Sequence, residues 1–152
     1  MKIEQISETK IIYQRRIGAY GIENKNLMTH FKAWLKTHQL LKDDAVVLAL
    51  AWDNPVTTTP QNCRYDIALT VDNFDTFEQL DASSIKAGHL KASRYAIFTI
   101  AHTEEAIQQT MQNMFADLAQ AGYTFNPQQP IIERYAMKML KNDLCEICVP
   151  IL

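Results

Sequence analysis

With 152 residues, 47% of them hydrophobic and 21% charged, the chain has the material for one ordinary domain with a sizeable core, and a second full domain would be cramped. A formal net charge of -2, with Lys and Arg scattered along the chain, argues against a dedicated nucleic-acid binder, because phosphate neutralisation needs clustered cations. The longest apolar run, residues 45–52, is too short to span a bilayer, and the amino terminus lacks a signal-peptide pattern, so the expectation is a soluble cytoplasmic protein with no membrane partner.

The predicted elements run strand, helix, strand, strand, twice over. The first strand covers residues 11–17 and ends at Gly18. In the helix that follows, Leu27, Met28, Phe31, Leu35 and His38 recur at three and four residues, with Trp34 beside them. Residues 45–52 and 63–71 read as the next two strands. The second of these alternates strictly, with Cys63, Tyr65, Ile67, Leu69 and Val71 on one face, the pattern of a half-buried antiparallel strand. Residues 72–86 form a polar link in which Phe74 and Phe77 are expected to pin the segment to the body.

The second copy opens with a strand at residues 95–100. Thr103, Glu104 and Glu105 make an acidic helix start, Ile107, Met111, Met114, Leu118 and Ala121 supply the apolar stripe, and Gly122 is the terminator. Strands at residues 131–139 and 144–149 follow, joined by a turn at residues 141–143. The expected fold is α+β, in which repeats at about 11–71 and 94–151 build a curved antiparallel sheet with two main helices and a central groove at the seam. Trp52 and Tyr135 take matching places in the two copies on this reading, flanking the groove with Glu133 between them.

Three cysteines do not make a disulfide framework, and they read as reduced thiols. Cys145 and Cys148 match C-x-x-C, yet zinc needs a second ligand pair, and positions three apart on a strand face opposite ways. No metal or cofactor is expected.

Glu133 is the residue that most needs explaining. A strand period of two sets it beside Ile131, Tyr135 and Met137 on an apolar face, where an unpaired carboxylate is costly. Either a cation such as Arg94 or Arg134 pairs with it at a sheet edge, or it lines a recess suited to a lipophilic cation.

Four segments carry a family resemblance: Arg16-Ile17-Gly18-Ala19-Tyr20-Gly21; Trp52-Asp53-Asn54-Pro55 with Thr59-Pro60; Cys63-Arg64-Tyr65-Asp66; and Ala121-Gly122-Tyr123 leading to Pro130-Ile131-Ile132-Glu133-Arg134-Tyr135. In order and spacing the chain resembles the GyrI-like small-molecule-binding domains, which include DNA gyrase inhibitory proteins and the effector-binding domains of AraC/Rob-type and BmrR-type transcription regulators. The resemblance implies a pseudo-twofold fold with a ligand groove and a strand glutamate that contacts cationic aromatic effectors. Glu133 matches that glutamate and Tyr135 a further pocket position, with Tyr20, Trp34, Trp52, Tyr65 and Phe98 as candidate wall residues. The chain departs from the pattern at Ala101-His102-Thr103-Glu104, where many members carry a Gly-Pro-Tyr-like element, and at Lys91-Ala92-Ser93-Arg94 in place of a glycine-rich approach.

Three functions follow as expectations. The first is a stand-alone binding module for an amphipathic or aromatic small molecule, cationic or neutral, acting as sensor or sequestering protein, with a transcription regulator as protein partner, since the chain shows no helix-turn-helix pattern of its own. The second, implied by the resemblance, is inhibition of DNA gyrase by protein contact. The third is hydrolysis of reactive cyclopropane-bearing toxins, with Glu133 and Tyr135 as the catalytic pair. With no G-x-S-x-G, metal cluster or phosphate-cradling loop, and only four glycines, the sequence favours binding over catalysis.

Overall fold

The computed structural model describes residues 1–75 and 84–152. Among them, eight strands form one sheet, antiparallel throughout: β1 (Lys2–Ile6), β2 (Thr9–Ile17), β3 (Val46–Ala51), β4 (Arg64–Thr70), β5 (Lys86–Leu90), β6 (Ser93–Ala101), β7 (Ile131–Ala136) and β8 (Leu144–Ile151). Their order across the sheet is β1-β6-β8-β7-β3-β4-β2-β5. Two long helices, α1 (Ile22–Thr37) and α2 (Glu104–Gln120), and one turn of helix, α3 (Met137–Leu140), complete the description. The α+β architecture with a curled antiparallel sheet and two main helices is as the sequence predicts.

The two edge strands explain the curl. β1 and β2 lie six strand spacings apart in the order, about 29 Å if the sheet were flat, yet Ser7 and Glu8 alone join them, a link that reaches about 11 Å at most. Lys91 and Ala92 join β5 to β6 under the same constraint. The sheet therefore rolls until its edges approach. Each half lends its leading strand to the other, β1 pairing with β6 and β5 with β2. Neither edge strand is in the sequence prediction, which places 86 in a polar link. Phe74 does pin that link, its ring edge-on to His89 at 5.4 Å with the Lys10 ammonium 5.9 Å from its centroid, while Phe77 lies outside the described residues.

Register reveals the internal symmetry. An offset of 82 residues carries the pair Tyr13↔Ala68 onto Tyr95↔Pro150 and Ala51↔Tyr65 onto Glu133↔Ile147. The pair Leu50↔Ile132 maps onto itself and so lies on the pseudo-twofold axis. This corrects the matching of Trp52 with Tyr135: the counterpart of Trp52 is Arg134, and that of Tyr135 is Asp53.

Both helices cover one face. Glu133 sits directly opposite Ala49 on one side and Ile147 on the other; Ala49 packs with Phe31 and Leu35 of α1, and Ile147 with Met114 and Leu118 of α2. The other face, inside the curl, has its own apolar cluster around Ile11, Leu48, Leu50, Tyr95, Ile97 and Ile132. The strand expected to be half-buried, β4, is therefore covered on both sides, with Asp66 and Ala68 as buried as Ile67.

Local signals set the helix ends. Thr103 caps α2 by accepting the Ala106 N–H at 3.2 Å. At the other end Gly122 takes φ +84, and the Gly122 and Tyr123 N–H groups bond Ala119 and Leu118 carbonyls, a left-handed stop that a side chain would strain. His38 belongs to the C-cap of α1 and is exposed, outside the apolar stripe. The predicted strand at 131–139 ends at Ala136, where the Met137 N–H bonds Ala45 O at 3.0 Å and α3 begins. All three cysteines are free and buried, with Cys145 and Cys148 in opposite-face clusters.

Candidate functional site

Glu133 stands at the middle of β7, in the seam between the two helix-covered clusters. Among the described residues no cation pairs with it. Arg134 points to the other face, where its guanidinium donates to Glu146 at 2.8 Å and to Glu4 at 3.1 Å, and Arg94 donates to the Leu152 carbonyl at 3.1 Å. The sheet-edge ion pair is thereby corrected, because the strand pleat turns the adjacent arginine away. The partner Glu133 does have is the Tyr135 hydroxyl, which donates to its carboxylate. Burial pushes the Glu133 pKa above the ordinary glutamate value, with the Tyr135 hydrogen bond opposing part of that rise.

Next to Glu133 opens a cavity of about 410 Å³, within the size range of small-molecule sites. The first repeat supplies Tyr20, Trp52 and Tyr65, the second Met111, Met114, Phe115 and Phe125. Tyr20 meets Tyr65 edge-on at 5.9 Å, and Phe115 meets Phe125 likewise at 5.1 Å.

Hydrogen bonds fix the first-repeat wall. The Tyr20 hydroxyl donates to Arg64 O at 2.6 Å and accepts the Asp53 N–H at 3.2 Å. The Trp52 indole N–H donates to Asp66 at 2.8 Å, and the fork of Arg15 holds the same carboxylate at 2.7 and 2.8 Å. Asp53 also lines the cavity, but the Arg64 guanidinium grips it at 2.9 Å and holds its carboxyl below the usual range. Among the described residues two acids thus face the cavity, one already neutralised by an arginine and the other, Glu133, without a cation.

Of the predicted site residues, Tyr20, Trp52, Tyr65 and Glu133 line this cavity together. Tyr135 stands behind Glu133, buried and orienting it. Trp34 is elsewhere, stacked on Phe31 and against His38, and Phe98 packs in the α2 cluster opposite Ile147. Asp66 was not anticipated, since in sequence it occupies the polar phase of an alternating strand. Met111 and Met114 were expected as helix stripe; the apolar run of α2 carries no mark of which turn meets a ligand. His102 lies edge-on to the Tyr135 ring at 5.5 Å. Among the described residues no cluster of His, Cys, Asp and Glu suits a metal, and no helix is long and apolar enough to cross a membrane.

The profile of the GyrI-like small molecule binding domain matches residues 1–152. The chain belongs to that family. It is 35% identical over 150 residues to the SPbeta prophage-derived protein YosT of Bacillus subtilis (strain 168), a protein named for transcriptional regulation, covering 98% of this chain and 97% of the relative. A DNA gyrase inhibitor of Serratia proteamaculans (strain 568) is 23% identical over 124 residues, covering 81% of this chain and 78% of the relative. Among solved structures, SAV2435 bound to tetraphenylphosphonium shares the fold at a TM-score of 0.62 and 17% identity, over 99% of this chain and 93% of that one.

Proposed function

We propose that this GyrI-like domain binds aromatic, lipophilic cations in the Glu133 cavity and acts as a sensor or sequestering module. One observation carries the reading: a half-buried carboxylate, without a counter-ion among the described residues, faces a cavity walled by aromatic rings and methionines. A cation entering there neutralises the carboxylate, and its rings lie against Tyr20, Trp52 and Tyr65, each cation-π contact contributing about 0.5–2 kcal/mol. Tetraphenylphosphonium, the ligand of the structurally similar SAV2435, has the required chemistry and is the first probe. Titration should quench Trp52 emission with saturation, whereas neutral triphenylphosphine oxide should bind much more weakly; linear, non-saturating quenching would sink the reading.

The Tyr135 hydrogen bond on Glu133 supports a second reading, hydrolysis of a strained electrophile. Glu133 would take a proton from water as its oxygen attacks the ring carbon, while the ring C–C bond opens toward a conjugated carbonyl that is then protonated. Loss of an activated cyclopropane substrate with water incorporated, abolished in Glu133→Gln, is the test. An action on DNA gyrase rests on the name of the Serratia relative and is checked by a supercoiling assay with purified gyrase.

A further inference from the structure

The pseudo-twofold axis carries residues of the cavity wall onto a second cluster beside Tyr135, and the chemistry there is reversed. Under the 82-residue offset, His102 stands for Tyr20, Tyr135 for Asp53 and Lys32 for Met114; the helix starts, Ile22 and Glu104, obey the same offset. At this second place Tyr135 is buried, with His102 edge-on to its ring at 5.5 Å and the Lys32 ammonium 5.7 Å from its centroid. Lys32 is half-buried, and among the described residues no carboxylate forms an ion pair with it. Burial, with a smaller contribution from the Lys36 ammonium one helical turn on, lowers its pKa. An ammonium in such surroundings gains most from an anion.

One tyrosine therefore lies between an acid and a base, neither with an ion-pair partner among the described residues. Glu133 meets its hydroxyl and Lys32 its ring face. We propose that Lys32, flanked by His102, is an anion-reading subsite of the binding groove, and that the preferred ligand is an aromatic zwitterion whose cationic end meets Glu133 and whose anionic end meets Lys32 across Tyr135. The assignment of the cationic end rests on the proposed function above; the anionic subsite does not.

The test is calorimetry at pH 7 in Tris chloride with three probes of one skeleton: tetraphenylphosphonium, (4-carboxyphenyl)triphenylphosphonium and the methyl ester of the latter. Ester and carboxylate differ in charge and little in size. Wild-type protein should bind the carboxylate about fivefold more tightly than the ester, the scale of a partly exposed ion pair. Lys32→Met, which keeps length and helix propensity, should bring that ratio to one or below; Lys32→Gln should do the same, and Lys32→Arg should preserve the ratio. A wild-type ratio at or below one, or a preference that survives Lys32→Met, overturns the proposal. Biphenyl-4-carboxylate separates this from the cation reading. If no phosphonium binds, that reading falls, and the subsite is then decided by whether biphenyl-4-carboxylate binds wild type and is lost in Lys32→Met; absence of such binding overturns the subsite as well.

Discussion

Glu133→Gln removes the charge at the centre of the site and little else. Gln keeps the length, the planar head and an oxygen that accepts from the Tyr135 hydroxyl. A cation centred about 5 Å from the carboxylate gains roughly 3 kcal/mol of Coulomb energy at an effective dielectric of about 20. Part of this is offset, because the carboxylate has to ionise where burial favours its neutral form. The net loss of affinity on substitution is then on the order of 1–3 kcal/mol, a factor of about five to 150 in Kd. Calorimetry with tetraphenylphosphonium measures it directly, and triphenylphosphine oxide, of similar shape without net charge, supplies the control. The neutral probe should change less than about twofold, since the cavity wall is otherwise intact. Equal losses for the two probes would refute the reasoning, showing that Glu133 shapes the cavity rather than reading charge.

The same substitution gives a pH signature in the ligand-free protein. Because the folded-state pKa of Glu133 lies above the ordinary 4.5, the folded chain holds more protons than the unfolded one between the two values, so stability falls as pH rises through that window; denaturant titrations of wild type and Glu133→Gln should diverge there, with Gln the more stable at neutral pH, and parallel profiles would contradict the shift. Asp66→Ala should cost about 3 kcal/mol, near the lower end for a broken buried pair because Arg15 is 34% exposed, and should shift Trp52 emission as its indole N–H loses its acceptor; an unchanged chemical-denaturation midpoint would show the network to be slack. Duplex DNA should not bind at sub-micromolar concentration in an anisotropy titration at physiological salt, since the charge of -2 offers no net neutralisation of phosphate.

Glu133 was legible in the sequence because a carboxylate breaks an otherwise apolar strand phase, and that break survives whatever the strand packs against. The repeats were legible for a similar reason: helix stripes and the strands after them recur in order. β1 and β5 left no such trace. Each has a sheet partner on one side and a polar composition, so neither carries the alternation of a half-buried strand. Asp66 was hidden by the curl, which covers both faces of β4 and converts a polar phase read as solvent-facing into a buried anchor. Trp34 and Phe98 show the limit of residue type as evidence, since an aromatic on an amphipathic element fills a core cluster as readily as a cavity wall.

The register of pairing, which no local pattern reveals, decides what the two repeats do with their shared groove. With the axis on Leu50 and Ile132, the first repeat places Tyr20, Trp52 and Tyr65 on one side, and hydrogen bonds to Arg64, Asp53 and Asp66 fix two of these rings. Met111, Met114, Phe115 and Phe125 oppose them without such bonds, and Phe115 is 44% exposed. A fixed aromatic wall beside one carboxylate sets requirements on ring and charge, because its geometry is established before the ligand arrives. Methionines and a partly exposed phenylalanine re-pack around different substituents at small cost. The division predicts where tolerance lies: changes to a ligand's outer substituents fall on the second repeat and are absorbed, whereas loss of its charge or its planar ring falls on Glu133 and the anchored wall, where nothing can move to compensate.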